Sequence, residues 1–420
     1  MTRKRRPIHW FRIILLVALI AIAVYVNKVV VPTIPPPFVP TATATRDPAS
    51  YVADAQKAFD EGKLLQSIDT YNQAIRANPD NPAVYVALAR VQIFAGKYDD
   101  ALVSAEYALL LNPDNSMAHA VRGWARIRQG DFANAEISIL RALELDPNNG
   151  LAHAYYAELL GSQYINNIGP LDVVDLFSAE SNLAIQLAPN SIEAHRARGY
   201  ILYITSNYED AVPEYKAAIE LNPNIPDLHI DLGLTYRALG LIDDAVQEYT
   251  LANTLNPSDP RPDLYASRAL ASVGSYGLAT QYAEGAVSTD PTDPYLRGNL
   301  GVMLYKSVDM TNAVIQLGLA VDGGATEDGQ TIPPLVLTAG DARAVETYYF
   351  YALALAYTRR CDRVLQVSQQ ILTVAPLDET ATYNANFALT ICQQIMLTPA
   401  PVPTGTATQV TATPGVYPTP

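Results

Sequence analysis

The middle of the chain has a regular pattern of apolar and polar positions. From about Pro48 to Pro376, apolar and small residues recur at i, i+3, i+4 and i+7 in runs of about 13 residues. The runs come in pairs, and a polar turn containing Gly or Asn separates the two members of each pair. This pattern predicts amphipathic α-helices arranged as successive helical hairpins.

A proline that would end the second helix of each hairpin recurs at a fixed interval. The interval is 34 residues, except for one interval of 42 residues before Pro189. The series is Pro79, Pro113, Pro147, Pro189, Pro223, Pro257 and Pro291. A fixed period of this length indicates a stack of structural repeats.

The turn inside each hairpin contains Gly or Asn followed by acidic residues. Gly96, Gly130, Asn207 and Gly240 are expected to take the left-handed conformation that ends the first helix. Acidic residues favour the start of the second helix, so we interpret the acidic pairs as helix-start residues rather than as a general acid and base. These pairs are Asp99–Asp100, Glu209–Asp210 and Asp243–Asp244.

Small residues follow the same period and would let neighbouring helix backbones approach closely. Those midway along the first helices are Ala89, Gly123, Ala157, Gly199, Gly233 and Gly301. The second helices carry alanines seven residues apart: Ala101 and Ala108, Ala135 and Ala142, Ala211 and Ala218, Ala245 and Ala252, Ala279 and Ala286, and Ala313 and Ala320. Together with the closing proline, this pattern resembles the tetratricopeptide-repeat (TPR) family.

The resemblance implies an all-α fold within residues 48–398. The expected architecture is a right-handed α-solenoid (superhelix) of about nine TPR helix-turn-helix units, preceded by one transmembrane helix. Glu379–Met396 is predicted to be a capping helix whose outer face can be polar. Two segments depart from the repeat, namely about eight extra residues around Gly161–Asp172 and an insertion from about Asp322 to Asp341.

Residues 1–31 are predicted to form a basic cytoplasmic stub and a transmembrane signal-anchor helix. Ile13–Val26 is uninterrupted apolar sequence, and flanking apolar residues extend it to the roughly 20 residues that span a bilayer. The basic cluster Arg3–Arg6 places the N-terminus in the cytoplasm and the repeats outside it. A cleaved signal peptide with a site at Ala21–Ala23 is the alternative, and both interpretations export the repeats.

Pro/Thr-rich segments flank the repeats on both sides. Residues 32–47 are expected to form an extended linker, and residues 399–420 a disordered tail. The first segment would separate the repeats from the membrane surface.

The net charge of −14 hides a marked asymmetry along the chain. The first six basic residues, up to Lys28, precede every acidic residue, so the chain after Lys28 holds 22 basic against 42 acidic residues, a net charge of −20. Such an acidic surface repels nucleic acid, so none is expected as a partner. The motifs G-x-S-x-G and H-E-x-x-H, a P-loop and an EF-hand loop are all missing from the sequence. The sequence therefore predicts neither an enzyme nor a cofactor.

Four histidines and two cysteines are candidate metal ligands or redox groups. His119, His153, His195 and His229 occupy the same place in consecutive units, which lie about 10 Å apart. Zinc needs ligands at about 2 Å, so the histidines are assigned to packing and no metal site is predicted. For Cys361 and Cys392, a disulfide and two free buried thiols remain as alternatives.

The resemblance also implies a concave groove lined by the first helices. The residues it places there are Arg90, Trp124, Arg128, Arg196, Tyr200, Tyr203, Arg237, Arg268, Tyr295, Tyr305 and Tyr349, with Glu158 and Glu193 as acidic exceptions. Arg and aromatic residues are enriched at binding hot spots, so the expected ligand is a peptide with acidic groups or a free C-terminal carboxylate.

The function expected from these features is a bacterial, non-catalytic scaffold or adaptor in the cell membrane. It would be single-pass, with the TPR domain extracytoplasmic, and would bind an unidentified protein or peptide partner. The alternatives are a chaperone-like binder of exported client proteins and a TPR-containing enzyme subunit.

Overall fold

A computed structural model describes residues 10–30 and 46–397 of the chain. The predicted basic stub, all but the last two residues of the predicted linker, and the predicted tail lie outside the described residues.

The first helix, α1 (Trp10–Tyr25), continues into a π-helical turn, Val26–Val30. Its side chains are exposed throughout. The segment Trp10–Val29 has 20 residues and a mean hydropathy of 2.2. By length and composition it is able to cross a membrane, and a signal sequence near an N-terminus meets the same description.

The remaining described residues form helices and one short strand pair. In chain order the helices are α2 (Pro48–Asp60), α3 (Leu64–Ala77), α4 (Pro82–Phe94), α5 (Tyr98–Leu111), α6 (Ser116–Arg128), α7 (Phe132–Leu145), α8 (Gly150–Ile165), α9 (Val173–Leu187), α10 (Ile192–Ile204), α11 (Tyr208–Leu221), α12 (Pro226–Ala238), α13 (Ile242–Leu255), α14 (Arg261–Ser272), α15 (Tyr276–Thr289), α16 (Pro294–Lys306), α17 (Met310–Asp322), α18 (Ala342–Tyr357), α19 (Cys361–Val374) and α20 (Glu379–Leu397). The strands β1 (Gly324–Ala325) and β2 (Thr331–Ile332) pair antiparallel between α17 and α18.

Helices α2 to α19 pack as nine successive hairpins, here called units 1 to 9, so that unit 1 is α2 with α3 and unit 9 is α18 with α19. Each hairpin also packs on the next one. Helix α20 packs on both helices of unit 9. The predicted all-α solenoid of nine hairpins is confirmed.

In unit 2 a side chain and a glycine bound the first helix as the sequence pattern suggested. Asn81 starts α4 by accepting a hydrogen bond from the Ala83 amide. Gly96 ends the same helix with a φ of 71°. In unit 5 the prediction was wrong by one residue, because Ser206 has the positive φ, 62°, and Asn207 has a φ of −88°.

The core is built from small residues that face larger side chains in the partner helix. A Cβ placed on Gly123 would lie 2.4 Å from Ile139, and one placed on Gly233 would lie 2.6 Å from the Tyr249 ring. Most of the predicted alanines in the second helices have no exposed surface; Ala101 and Ala245 are examples. The two helices of each hairpin therefore approach closely only because these positions lack a larger side chain.

The two insertions pack against the solenoid. In unit 4 the extra residues lengthen α8 to Ile165 and form the loop before α9. After α17 the insertion holds β1 and β2, and Leu335 donates its amide to the Ala320 carbonyl. Tyr348 donates its hydroxyl to the Leu335 carbonyl at 2.8 Å, which ties this segment to α18.

Cys361 and Cys392 are joined by a disulfide, with the two Cα atoms 5.5 Å apart. The bond links the first residue of α19 to α20. It fastens the terminal helix to the last hairpin, where helix α20 has no following unit to pack against within the described residues.

Candidate partner-binding groove

The first helices of neighbouring units pack on one another and form one continuous face, here called the inner surface. Arg90 of unit 2 pairs with Glu193 of unit 5, so first helices three units apart meet through their side chains. Such a contact requires the solenoid to curve toward this face. The inner surface is therefore concave, as expected for the predicted groove.

Trp124 lies in the core beneath the inner surface and is only 1% exposed. Its ring stacks on Tyr155 with 4.7 Å between centroids and meets Phe94 edge-on at 5.1 Å. The indole nitrogen donates to the Glu158 carboxylate at 3.2 Å. In this conformation Trp124 offers no accessible surface to a partner, because rings from the neighbouring units cover both of its sides.

Arg90 and Glu193 form a two-pronged ion pair across the groove. One guanidinium nitrogen of Arg90 donates to the Glu193 carboxylate at 3.1 Å, and a second pairs with its other oxygen. The Glu193 side chain is almost fully buried, and the Ser191 hydroxyl also donates to it at 3.0 Å. This arginine is thus neutralised within the chain.

A second charge cluster connects units 3, 4, 5 and 6. Arg196 donates to Asp231 at 3.1 Å and lies 3.5 Å from Glu158. Arg128 lies 3.6 Å from Glu158 and 3.7 Å from Asp227. Glu158 therefore serves two arginines and the Trp124 indole. Its appearance as an acidic exception in the groove is explained by this shared role.

Burial and neighbouring arginines act in opposite directions on these carboxyl groups. Burial would raise the pKa of Glu193, but Arg90 outweighs it and holds the pKa below the usual value. Burial would also raise the pKa of Asp227, which three arginines led by Arg261 keep low. For Asp231 burial prevails over the arginines, and its pKa is raised.

The solenoid also closes on itself at the junction between units 5 and 6. Asn222 and Asn224 donate their side-chain amides to the carbonyls of Phe59 and Asp60 in unit 1, each at 3.0 Å. A Cβ on Gly62 would lie 2.3 Å from Asn224, so this approach requires glycine. Beside the contact, a pocket of about 490 Å³ lies between the turns of units 1 and 2 and the starts of α12 and α14.

The inner surface of units 6 to 9 differs, because three of its arginines lack acidic partners. Among the described residues, no carboxylate oxygen lies within 4.0 Å of Arg237, Arg268 or Arg343. Arg268 donates to the Asn299 side-chain oxygen at 3.2 Å. Burial, and then repulsion by Arg343 and Arg237, lowers the pKa of Arg268, although Glu346 opposes this. Arg268 is therefore close enough to both other arginines to be repelled by them.

Aromatic side chains continue this surface toward the C-terminus. The Tyr305 ring lies 4.9 Å from Phe350, which in turn lies 4.8 Å from Tyr349. Burial raises the pKa of Tyr305 and of Tyr349 to about 12 in each case. Tyr295 is 38% exposed and donates its hydroxyl to Asp341 at 2.6 Å. These tyrosines remain neutral hydrogen-bonding groups at physiological pH.

Tyr200 and Tyr203 lie between the two halves of the inner surface. The Tyr200 hydroxyl lies 3.5 Å from that of Ser162, and burial raises its pKa to about 12. The Tyr203 ring packs 5.6 Å from Tyr208, and its hydroxyl interacts with Arg237. Both tyrosines are only partly exposed.

Four charged residues of the inner surface were not among the residues predicted for the groove. Asp227, Asp231 and Arg261 complete the internal charge cluster, and Arg343 completes the unpaired cations. A signal for two of them was present, since Glu193, Asp227 and Arg261 are spaced by 34 residues and occupy one repeat position. The spacing alone could not show that these charges neutralise arginines three units away.

Within the described residues, no group of three or more His, Cys, Asp and Glu side chains is arranged to hold a metal ion. The four repeated histidines lie singly, one in each of units 3 to 6. Each ring packs against the turn before its own helix.

Comparison with known proteins links the repeats to one family. Models described as tetratricopeptide repeat match residues 86–150 and 226–259, and a model described as TPR repeat matches residues 199–240. A comparison with the sequences of curated proteins gave no match.

Several solved structures are similar to this chain. Human IFIT1, in a dimer with PPP-AAAA, has a TM-score of 0.52 and 14% identity, with 83% of each chain covered. A thermophilic TPR protein of Thermus thermophilus has a TM-score of 0.39 and 21% identity, covering 45% of this chain and 99% of that one. A tetratricopeptide repeat protein from Parabacteroides merdae has a TM-score of 0.39 and 17% identity, covering 61% and 98%. At these identities the likeness to human IFIT1 supports the fold alone.

The sequence period, the nine hairpins and the three model matches agree with one another. Each match falls on units whose helices, closing proline and small packing residues fit the repeat. The chain is therefore a tetratricopeptide-repeat protein.

Proposed function

We propose that this protein is a non-catalytic adaptor, displayed on the outer side of the cytoplasmic membrane, that binds an acidic peptide segment on the inner surface of units 6 to 9. Tetratricopeptide repeats form protein–protein interaction scaffolds in general. The proposal adds the place of display, the part of the groove that binds, and the chemistry of the partner.

The observation that carries the proposal is the contrast between the two halves of the inner surface. In units 2 to 5 the arginines of the inner surface are neutralised by the chain's own carboxylates, as for Arg90 with Glu193 and Arg196 with Asp231. Arg237, Arg268 and Arg343 have no such partner among the described residues. Three arginines without carboxylate partners, two of which repel Arg268, favour in an otherwise acidic protein a ligand that supplies carboxylates.

The aromatic residues beside these cations support a peptide over a small anion. Tyr305, Tyr349 and Phe350 form a partly exposed cluster on the first helices of units 8 and 9. Tyrosine and arginine dominate binding hot spots, because they combine a large contact area with polar groups. A peptide would place acidic side chains on the arginines and apolar ones on the rings.

Display outside the cytoplasm is supported by α1. The segment Trp10–Val29 has the length and composition of a membrane span. The basic cluster Arg3–Arg6 precedes it, which favours a cytoplasmic N-terminus. Protease accessibility of a C-terminal epitope tag on spheroplasts tests this topology. A tag that is digested only after cell lysis would contradict it.

Peptide binding can be measured with the full chain in detergent micelles. The probes are a fluorescent oligoglutamate peptide and an oligoglutamine peptide of the same length. We expect the acidic peptide to bind more tightly, with an affinity that falls as salt rises. Arg237→Ala, Arg268→Ala and Arg343→Ala should each weaken binding about tenfold, as expected for loss of one charge-assisted hydrogen bond.

The matched control is Arg76→Ala, which removes an exposed arginine from a second helix. It changes the net charge equally but leaves the inner surface intact, so binding should not change. Equal weakening by Arg76→Ala and Arg343→Ala would mean that the peptide responds only to overall charge. Equal binding of both peptides would refute the acidic ligand.

Crosslinking in the native cell tests the adaptor function. A C-terminally tagged chain is compared with the Arg237→Ala, Arg268→Ala, Arg343→Ala triple variant. Capture of one envelope protein that the folded triple variant loses would support an adaptor. Capture of many unrelated exported chains, equally by both proteins, would instead favour the chaperone-like alternative.

A further inference from the structure

Units 3 to 6 each place a histidine at the same repeat position near the start of the first helix. The residues are His119, His153, His195 and His229. In all four, the Nε2 atom lies 2.9 Å from the carbonyl oxygen of the closing proline six residues earlier. A carbonyl oxygen only accepts hydrogen bonds, so Nε2 carries a hydrogen in each case.

In units 4, 5 and 6 the other ring nitrogen, Nδ1, faces a glutamate on the second helix. The three histidine–glutamate pairs are His153–Glu180 at 2.5 Å, His195–Glu214 at 2.7 Å and His229–Glu248 at 2.6 Å. An ionised carboxylate cannot donate a hydrogen bond, and a neutral imidazole with its hydrogen on Nε2 has none left on Nδ1. Each of these contacts therefore requires one additional proton between Nδ1 and the carboxylate.

Unit 3 shows the arrangement without that proton. Ser138 occupies the repeat position that glutamate holds in units 4 to 6. Arg122 donates to the Nδ1 atom of His119 at 3.1 Å, so this nitrogen acts as an acceptor. His119 is therefore a neutral imidazole in the same structural setting.

Unit 8 shows the arrangement with a permanent cation. Arg297 occupies the histidine position and Gln316 the glutamate position, each 68 residues after its unit 6 equivalent. Arg297 donates to the Pro291 carbonyl at 2.8 Å and to the Gln316 side-chain oxygen at 2.9 Å. Arg297 therefore links the turn before its own helix to the second helix of unit 8, as the protonated histidines do in units 4 to 6.

We propose that units 4, 5 and 6 each bind one proton at the histidine–glutamate pair, and that release of these protons at higher pH weakens the packing of the two helices in each unit. On release the proton passes to solvent and leaves a neutral imidazole facing a carboxylate. The lone pair of Nδ1 then opposes the negative oxygen, so the hydrogen bond is lost.

The charged groups around two of these histidines favour the bound proton. Burial would lower the pKa of His153, but the hydrogen bonds to Glu180 and the Pro147 carbonyl, with the charges of Glu180 and Asp146, outweigh burial and raise the pKa. Burial would also lower the pKa of His229, but Glu248 and the Pro223 carbonyl outweigh burial and raise the pKa.

At His119 the balance is reversed. Burial and the positive charges of Arg122 and Arg141 lower the pKa of this histidine, against the Pro113 carbonyl and Asp114. For His195 the facing groups are Glu214 and the Pro189 carbonyl.

The sign of the pH dependence follows from the raised pKa values. A group whose folded-state pKa exceeds its unfolded value stabilises the fold fully below the unfolded value, here 6.5. The stabilisation is lost as pH rises through the folded-state pKa. Units 4 and 6 should therefore be most stable at mildly acidic pH and loosen above neutrality.

The position of these pairs gives the loss a structural consequence. Units 4, 5 and 6 also supply Glu158, Arg196 and Asp227 to the charge cluster that closes the inner surface. Loosening the hairpins that hold these residues weakens the closed half of the groove. The inference does not depend on the proposed partner, because it concerns the fold of units 4 to 6.

The test uses full-length protein in detergent micelles, labelled with ¹⁵N at histidine only. We expect the His153 and His229 rings to lose a proton at higher pH than His119. Glu180→Gln and Glu248→Gln should each weaken proton binding at the paired histidine about tenfold, because the charge-assisted hydrogen bond is lost. Unchanged titration in both variants would overturn the proposal.

A second readout uses hydrogen exchange of α8 to α13, corrected for the intrinsic pH dependence of exchange. Protection in the native chain should fall as the pH rises above the unfolded-state value of 6.5. The double variant His229→Arg, Glu248→Gln reproduces the Arg297–Gln316 pair and should keep protection in unit 6 across this range. If unit 6 loses protection equally in both proteins, the histidine is not the cause and the proposal fails.

Discussion

Among the described residues, Val308 has the backbone conformation that fits its side chain least well. It occupies the turn between α16 and α17 with a φ of 70°, in the left-handed region. At the equivalent positions of units 6 and 7 the structure has Gly240 and Gly274, with φ values of 77° and 78°. A β-branched side chain in this region costs about 1–2 kcal/mol. We therefore predict that Val308→Gly stabilises the protein.

The magnitude follows from two opposing terms. Glycine removes the steric cost of about 1–2 kcal/mol but adds about 0.5–1 kcal/mol of backbone entropy to the unfolded chain. The Val308 side chain is 76% exposed, so little buried apolar contact is lost. The net gain is about 0.5–1 kcal/mol.

Local hydrogen exchange is the suitable assay, because a solenoid of many units need not unfold in a single step. A gain of about 1 kcal/mol would slow exchange through unfolding of unit 8 about fivefold. Urea unfolding of the full chain gives a second estimate of the same change.

Val273→Gly is a matched control. Val273 precedes the corresponding turn glycine of unit 7, is 58% exposed, and has a φ of −104°. The same substitution there relieves no strain, so it should destabilise by about 0.5–1 kcal/mol. If both substitutions destabilise the protein to the same extent, the argument from the left-handed conformation is wrong.

Three further predictions concern the closed half of the groove and the C-terminal cap. Arg196→Met should destabilise the protein by about 3–5 kcal/mol in urea unfolding, because the buried carboxylates of Glu158 and Asp231 would lose this cation. A loss of stability below about 1 kcal/mol would contradict the described network. Cys361→Ser opens a loop with a sequence separation of 31 residues and should cost about 3–4 kcal/mol. Reducing agent should then affect the native chain but not this variant in thermal unfolding. Glu193 and Asp227 have lowered pKa values, so their contribution to folding stability is present above the unfolded-state pKa and is lost as pH falls through the folded-state pKa. Unfolding measured at decreasing pH should show this loss of stability in the native chain and a smaller loss in Glu193→Gln.

The repeating architecture follows from the amino-acid sequence alone. The period of 34 residues, the apolar spacing and the closing prolines are local features, because each unit is one hairpin that packs mainly on its neighbours. The same locality explains why the number of hairpins and the start of the last helix were predictable. The left-handed residue of unit 5 was misplaced, since both Ser206 and Asn207 are compatible with a polar turn and only the backbone geometry distinguishes them.

Local spacing also assigned the repeated histidines to packing, but it could not reveal their protonation. That depends on whether the second helix offers a glutamate, as Glu248 does to His229, or a serine, as Ser138 does beside His119. The packing of the two helices determines which groups face the two nitrogens of each histidine ring. The order of residues along the chain does not show this packing.

The state of the groove was decided only by the tertiary structure. The sequence placed Arg90, Arg196 and Arg237 on one face as equivalent candidates, because equivalent repeat positions share a face. Curvature of the solenoid then brings first helices three units apart into contact, which pairs Arg90 with Glu193. Arg237 lies beyond that closure and keeps no carboxylate partner within 4.0 Å among the described residues. The curvature is a sum of small displacements over many units, so no single repeat encodes which arginines it will neutralise.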